Sequence, residues 1–419
     1  MNNYKLAVVG ATGVVGQTVL KVLEEKKLPI KEYTFFASKR SAGKTLKFMD
    51  DVYLIKELTE ESLKNGNFDF AIFSAGGDTA LKYAPIAASS GCIVIDNSSA
   101  FRMDNMVPLV VPEVNSEEIA KNTGIIANPN CSTIQAVVAL KPLDDMFGIK
   151  RIIYSTYQAV SGAGSKGIHD LENGIYNFEK DSEDDNFKNN HNYKLEKFPY
   201  PIFNNCLPHI DNFLENGYTK EEEKMINETR KILNRPDLPI TATTVRVPVF
   251  NCHCESINVE FNNEFELEDV VKVLKNSPGI IVQDEFGGDE KNYALPSLVS
   301  GCDNVFVGRI RRDFSVRNGV NLWVVADNIR KGAASNAVQI LEKLIWEIFE
   351  GIGEGIWDVL VFLVGEHKLE WFWWRFLLVS EFFGWAPREK ICYFWKNKLL
   401  QTRWGAYWVW WTCYDNELS

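Results

Sequence analysis

The chain has 419 residues, of which 46% are hydrophobic and 24% are charged, and its net charge is -11. This length predicts two or three domains with a sizeable core. The acidic balance argues against a sequence-independent nucleic-acid binder, which needs a basic surface, and no apolar run reaches the roughly 18 residues of a membrane span. Scattered cysteines and an N-terminus without the apolar core of a signal peptide favour a cytoplasmic protein with free thiols.

Strand and helix patterns alternate through the first part of the chain. Strands are predicted at 5–10, 33–37, 68–74 and 92–96, and helices at 14–26 and 79–89. This alternation is typical of an α/β fold, with a Rossmann-like, doubly wound parallel sheet and helices on both faces.

The pattern changes after residue 150. Strands are predicted at 152–159, 243–249 and 256–261, and helices at 221–232, 266–275 and 331–344. The polar stretch 178–197 reads as a surface excursion or a partly disordered segment. Strands with few intervening helices predict a second domain of the α+β class.

A glycine-rich loop, GATGVVG at 10–16, lies between the first strand and the first helix. Glycines let the backbone approach a pyrophosphate, and a helix N-terminus offers N–H donors to it. The alternative is an ordinary tight turn. The second strand ends in ASKRS at 37–41, which has two cations and no acid. We therefore expect NADP rather than NAD, although a plain solvated basic turn has the same composition.

Cys131 is a candidate nucleophile. It lies in NPNCST at 128–133, directly before an apolar helical run at 134–140. A helix N-terminus stabilises a thiolate and lowers the pKa of the thiol. The alternative is a buried structural cysteine.

Arg246 and His253 occur on one strand-like segment, RVPVFNCH at 246–253. Arginine can clamp a carboxylate with two parallel hydrogen bonds, and histidine can act as a base near neutral pH. Seven positions separate the two residues, so a regular strand would point them to opposite faces. A bend near Pro248 or a bulge must intervene if both serve one site. Cys252-His253-Cys254 has no second Cys/His pair with suitable spacing, so we expect no metal.

Six stretches of the chain resemble the aspartate-semialdehyde dehydrogenase family. They are GATGVVGQ at 10–17, DNSSAFR at 96–102, PNCSTIQ at 129–135, YQAVSGAG at 157–164, RVPVFNCHCE at 246–255 and VADNIRKGAASNAVQI at 325–340. The resemblance covers residues 4–344 and is specific because of the order and spacing of the stretches. It implies an NADP-binding domain at 1–132, completed by a helix at 329–344, and a catalytic and dimerisation domain at 133–328.

The resemblance also implies a role for each matching residue. Cys131 becomes the acyl-thioester nucleophile and His253 the acid–base catalyst. The implied substrate-binding residues are Gln158 near the thiol, Arg246 on the carboxylate, Glu221 on the amino group, and Arg102, Lys224 and Asn130 on the phosphate. The implied cofactor-binding residues are Gly10, Thr12, Gly13, Val14, Val15, Arg40, Ser41, Ser161, Gly162 and Asn328.

The implied reaction is the NADPH-dependent reductive dephosphorylation of L-4-aspartyl phosphate to L-aspartate 4-semialdehyde. It belongs to lysine (diaminopimelate), threonine and methionine biosynthesis. The expected partners are this small substrate and inorganic phosphate, in a homodimer or homotetramer. Rival interpretations are an N-acetyl-γ-glutamyl-phosphate reductase, a malonyl-CoA reductase-like enzyme and a non-catalytic nucleotide-binding scaffold.

The last 75 residues, 345–419, have no counterpart in that resemblance. Of twelve tryptophans, all but Trp323 lie between Trp346 and Trp411. They fall on several sides of any helix, so no single amphipathic face explains them. Three interpretations stay open for this tail: a non-native extension, an interfacial membrane or partner-binding segment, and a small packed appendage.

Overall fold

Two six-stranded sheets are the framework of the part of the chain that the computed structural model describes, residues 4–181, 194–285 and 292–346. The strands in chain order are β1 (Tyr4–Val9), β2 (Ile30–Ala37), β3 (Thr45–Phe48), β4 (Asp51–Leu54), β5 (Lys56–Glu57), β6 (Phe70–Phe73), β7 (Ile93–Asp96), β8 (Ile125–Ala127), β9 (Ile149–Gln158), β10 (Ile240–Arg246), β11 (His253–Phe261), β12 (Ile280–Val282), β13 (Asp284–Glu285), β14 (Asn292–Tyr293), β15 (Val305–Asp313) and β16 (Gly319–Ala326). The helices are α1 (Val14–Lys26), α2 (Glu60–Lys64), α3 (Gly77–Ser89), α4 (Pro112–Asn115), α5 (Cys131–Phe147), α6 (Ser165–Asp181), α7 (Lys220–Ile232), α8 (Leu267–Lys275), α9 (Pro296–Val299) and α10 (335–346).

The first sheet has the strand order β5-β2-β1-β6-β7-β8, and all of its pairs are parallel. Its central strands are nearly continuous apolar runs because helices cover both of their faces. Helix α1 buries Val19, Val22 and Leu23 on its apolar side. The predicted Rossmann-like parallel sheet is confirmed.

The second sheet is mixed, with the strand order β10-β9-β11-β16-β15-β12. Strand β9 runs parallel to β10 and antiparallel to β11, and β11 runs antiparallel to β16. Helix α5 lies on one face of this sheet and contributes Ile134, Val137 and Leu140 to a core shared with Ile257 and Val259 of β11. The predicted α+β arrangement is confirmed.

Most predicted element boundaries shift by one to three residues in the structure. The strand expected at 243–249 ends at Arg246, because a loop follows in which Cys252 has a φ of 73°. The helix expected at 331–344 begins with a π turn at Arg330–Ala334. The polar stretch expected at 178–197 starts inside α6, and residues 182–193 lie outside the described residues.

The residues Tyr4–Glu342 form one unit by their contacts, apart from the residues that follow. The structure describes residues only up to 346, so the tryptophan-rich tail at 347–419 lies outside the described residues and its three interpretations stay predictions. Among the described residues no helix is both long and apolar enough to cross a bilayer.

Candidate active site

Arg246, Gln158 and His253 lie in one row across the second sheet. Arg246 pairs with Gln158 in the β10–β9 register, and Cys254 pairs with Tyr157 in the β11–β9 register, which sets His253 opposite Gln158. Residues that are paired across neighbouring strands point to the same face of a sheet, and all three of these side chains are buried. The parity difficulty disappears because Arg246 ends one strand and His253 begins another, with β9 between them.

Cys131 is the first residue of α5, as the sequence predicted. Asn130 caps the helix, since its side-chain oxygen accepts hydrogen bonds from the N–H groups of Ser132 (3.0 Å) and Thr133 (3.3 Å). The backbone of Gly332 packs against Cys131 from the π turn, and a Cβ at Gly332 would lie 2.8 Å from the Cys131 Cβ.

A buried carboxylate, Glu221, connects the nucleophile loop with the sheet. Its Oε1 accepts hydrogen bonds from Asn130 Nδ2 (2.9 Å) and Gln158 Nε2 (3.1 Å), and its Oε2 accepts one from Lys224 Nζ at 3.2 Å. Burial raises the pKa of Glu221, but Lys224 and the amide donors lower it more. Glu221 is therefore a stable anion beside the thiol.

The pKa of the Cys131 thiol differs from the sequence expectation. Burial and the negative charge of Glu221 raise the pKa to about 12, while Arg246, Arg102 and the N–H of Ser132 act against them. The start of α5 thus does not lower the pKa of this thiol below its usual range without a ligand. The physical reason is that burial and a neighbouring anion outweigh the N-terminal donors.

His253 is fully buried, and burial together with the positive charge of Arg246 lowers the pKa of its ring well below the usual range. The backbone N–H of Ala159 donates a hydrogen bond to Nδ1 at 3.0 Å. A neutral imidazole that accepts at Nδ1 carries its proton at Nε2. The Nε2 atom lies 3.5 Å from Gln158 Nε2, so this N–H faces the same row of side chains.

Arg102 is buried and makes three hydrogen bonds. Its Nε donates to the carbonyl of Asn128 (2.9 Å), its Nη2 to the carbonyl of Asn97 (2.9 Å) and its Nη1 to Glu228 Oε1 (3.0 Å). Lys224, the other expected phosphate ligand, also donates to Asp211 Oδ2 at 2.7 Å. Arg102 and Lys224 are each linked to a different carboxylate of α7, Glu228 and Glu221.

The glycine-rich loop has the geometry that a dinucleotide requires. Gly10 has a φ of 86°, and a Cβ there would lie 2.5 Å from the Ser74 carbonyl oxygen. A Cβ at Gly16 would lie 2.1 Å from the Gly10 carbonyl oxygen, so the first turn of α1 packs tightly against the loop. No side chain caps α1 at Gly13, so the N–H groups of its first turn, which begins at Val14, are open to a pyrophosphate.

The other expected cofactor residues fall into two groups. Thr12 and Arg40 are exposed and Ser41 half-buried, and Arg40 lies in a turn after β2 that the Ser41 N–H closes onto the Ser38 carbonyl. In the segments that follow β9 and β16, Asn328 Nδ2 donates a hydrogen bond to Ser161 Oγ at 3.0 Å. Gly162 lies close to the catalytic row, because a Cβ there would be 3.2 Å from the His253 ring.

Two buried glutamates near the candidate site, Glu228 and Glu255, were not identified from the sequence. Glu228 contacts both Arg102 and the backbone N–H of Asn130, the latter at 2.6 Å. Glu255 has no hydrogen-bond partner among the described residues, and burial raises its pKa well above the usual range. The spacing of Glu221, Lys224 and Glu228 on one face of α7 was the available signal for Glu228. Only the alternation along β11 from His253 could have pointed to Glu255.

Comparisons with known proteins cover most of the chain. A family model described as the NAD-binding domain of semialdehyde dehydrogenase matches residues 5–122, and one described as its dimerisation domain matches residues 140–331. An aspartate-semialdehyde dehydrogenase of Aquifex aeolicus is 54% identical over 346 residues, which are 82% of this chain and 98% of the relative.

Solved structures agree with these matches. Aspartate semialdehyde dehydrogenase II from Vibrio cholerae is 46% identical with a TM-score of 0.75, and the alignment covers 82% of this chain and 98% of that one. The same enzyme has been solved in complex with ASA, with the same values. A Candida albicans aspartate semialdehyde dehydrogenase with NADP is 27% identical with a TM-score of 0.62, over 81% of this chain and 98% of that one.

Proposed function

The chain belongs to the aspartate-semialdehyde dehydrogenase family, and on that premise we propose that it reduces L-4-aspartyl phosphate to L-aspartate 4-semialdehyde with NADPH. The observation that carries the proposal is the convergence of a thiol at a helix start, a neutral imidazole and a buried arginine beside one anion, Glu221. This set can hold an amino acid and attack its activated side-chain carbonyl.

The α-carboxylate and the α-ammonium group of the amino acid each have a residue of opposite charge to bind. The Arg246 Nη1 donates to the carbonyl of Ala159 at 2.6 Å, which fixes the guanidinium and leaves its other donors for the α-carboxylate of a substrate. Glu221 offers a carboxylate for the α-ammonium group. Gln158 lies between Arg246 and His253 in the sheet row, donates a hydrogen bond to Glu221, and orients the substrate near the thiol.

Bond formation starts at Cys131. The Cys131 sulfur gives up its proton and attacks the acyl carbon, the C–O bond to phosphate breaks, and the leaving phosphate takes that electron pair and a proton beside Arg102, Lys224 and Asn130. A substrate ammonium that neutralises Glu221 removes one of the two causes that raise the pKa of the thiol. Ligand binding therefore favours the thiolate.

Acid catalysis at the acyl oxygen is assigned to His253. The Nε2–H of its neutral ring donates a hydrogen bond to the oxygen that becomes negative when the acyl carbon turns tetrahedral. NADPH supplies the hydride when bound, held by the GATGVVG loop, the turn at Arg40 and Ser41, and the contacts at Ser161, Gly162 and Asn328. This hydride would reduce the thioester carbon, and Cys131 would then be the leaving group, its sulfur keeping the electron pair of the broken C–S bond.

The second sheet also supports an assembly. Tyr157 and Trp323 lie on the face opposite the catalytic row, their ring centroids 5.6 Å apart, and Tyr157 is 42% exposed. We propose that this face joins two chains into a homodimer or homotetramer, located in the cytoplasm. We also propose that residues 1–132, completed by the helix at 329–344, form the NADP-binding domain, and that residues 133–328 form the catalytic and dimerisation domain.

An assay of NADP reduction tests the function. The purified protein is given L-aspartate 4-semialdehyde and NADP, with and without inorganic phosphate, and N-acetyl-glutamate 5-semialdehyde serves as the competing substrate. We expect rapid, phosphate-dependent turnover with the aspartate compound alone. Turnover that prefers the N-acetylated compound, or none with either, contradicts the proposal.

A further inference from the structure

Glu228 is a buried carboxylate that lies between the phosphate ligand and the nucleophile. Its side chain is 1% exposed. One oxygen accepts a hydrogen bond from Arg102 Nη1 at 3.0 Å, and the other accepts one from the backbone N–H of Asn130 at 2.6 Å. A single side chain on α7 therefore holds two loops that lie 126 and 98 positions before it in the sequence.

The donors of Arg102 show what this contact leaves free. A guanidinium has five N–H groups. Three of them point to the carbonyls of Asn128 and Asn97 and to Glu228. The remaining two, one on each terminal nitrogen, can bind two oxygens of a phosphate. The fork is thus oriented before any ligand arrives.

The other contact of Glu228 acts on the nucleophile. Asn130 is the cap of α5, and Cys131 follows it directly. A shift of the Asn130 backbone moves the thiol by a similar distance, and an error of about 1 Å in a reacting group can cost on the order of 100-fold in rate. The carboxylate thus ties the position of the thiol to the position of the phosphate fork.

We propose that Glu228 is a positioning residue of the phosphate-dependent step, which sets the Arg102 fork and the Cys131 thiol at a fixed separation. This inference rests on the proposed function. It predicts that a change at Glu228 acts on phosphate use and on turnover, and not on the binding of the amino-acid end or of NADP.

Glutamine is the informative replacement. An amide has one acceptor oxygen, so Glu228→Gln cannot accept from both Arg102 and Asn130, and its NH2 group faces a donor. The same helix supplies a matched control in Glu222, another buried glutamate, which accepts from the backbone N–H groups of Thr219 (2.7 Å) and Thr244 (3.0 Å). Glu222→Gln removes a similar pair of contacts without touching either loop.

The experiment compares wild type, Glu228→Gln, Glu228→Asp and Glu222→Gln in phosphate-dependent NADP reduction. We expect both Glu228 variants to raise the KM for phosphate and lower kcat by on the order of tenfold or more, with an unchanged KM for the semialdehyde and an unchanged Kd for NADP. Glu222→Gln should leave the KM for phosphate at the wild-type value. Glu228→Asp keeps the charge but shortens the arm, so it covers the case in which the glutamine variant does not fold.

The outcomes separate this inference from the proposed function. A wild-type protein without phosphate-dependent turnover defeats the function itself. An active wild type, with a folded Glu228 variant that matches Glu222→Gln in its KM for phosphate, overturns only the role of Glu228. A uniform rise in every KM also overturns it, because a merely structural role produces that result.

Discussion

Arg246 ends β10 with its guanidinium fixed by the Ala159 carbonyl. We expect Arg246→Lys to raise the KM for the semialdehyde by roughly 10- to 100-fold, because an ammonium cannot reproduce a two-pronged contact with a carboxylate. Steady-state kinetics with the semialdehyde and phosphate varied separately measure the effect. The KM for phosphate is the internal control, and an unchanged semialdehyde KM would remove Arg246 from the substrate site.

Glu255 is a buried carboxyl two positions after His253 on β11, and its pKa lies well above the usual range because of burial. The native carboxyl therefore keeps its proton over a pH range in which the unfolded one, with a pKa of about 4.3, has lost it. The free energy of unfolding must then fall as pH rises above about 4.3, by about 1.4 kcal/mol for each unit of the pKa difference.

Glu255→Gln removes this pH dependence because glutamine does not ionise. We expect the melting temperature of the variant to rise relative to wild type as the pH goes from 5 to 8, measured by thermal unfolding in matched buffers. A constant difference across this range would mean that Glu255 is ionised in the native protein.

At the scale of elements, the π turn at Arg330–Ala334 supports the start of α5. A Cβ at Gly332 would lie 2.8 Å from the Cys131 Cβ and 3.2 Å from its Cα, so Gly332→Ala must displace the nucleophile. We expect kcat to fall by on the order of 100-fold while NADP binding persists. Ala333→Gly, which perturbs the same turn without adding atoms near Cys131, is the control. Full turnover in Gly332→Ala would show that the π turn moves to accommodate the added Cβ without displacing Cys131.

Sequence patterns located the elements that follow simple periodicity. The parallel sheet, α1 and the position of Cys131 at a helix start were predicted, because each depends on local apolar spacing or on a motif. The end of β10 was predicted at 249 rather than at Arg246, although a bend near Pro248 was expected if both residues serve one site. The left-handed backbone of Cys252 was not predicted, since cysteine gives no sequence signal for that conformation. The register that brings Arg246 and His253 together passes through β9, which no local pattern can reveal.

The pKa values of the candidate site residues were harder to predict from the sequence than the identities of those residues. Helix position suggested a lowered pKa for the Cys131 thiol, yet the pKa is raised because Glu221 and burial act from elsewhere in the fold. Glu228 and Glu255 carry no motif, and their surroundings come from distant segments. The roles assigned to the individual residues stay predictions until the variants are measured.

At the scale of the whole molecule, every proposed site residue precedes position 330, and Tyr4–Glu342 forms one unit. We expect a shortened chain ending at Leu344 to fold, assemble and turn over with the kcat and KM of the full chain. It should also be more soluble, because the tryptophan-rich residues are gone. Kinetics and light scattering on both chains provide the measurement. Loss of folding or activity would make the tail integral to the protein.

The negative charge of Glu221 beside Cys131 also affects how readily the thiol is oxidised or modified. A thiol with a pKa of about 12 reacts slowly with peroxides and other electrophiles, because the nucleophile in these reactions is the thiolate. Its reactivity increases only when a cation such as a substrate ammonium offsets Glu221. The substrate is thus selected in two ways: it must fit the site, and its positive charge must lower the pKa of the thiol. We therefore expect the enzyme without bound ligand to be oxidised more slowly than one whose cysteine is permanently ionised.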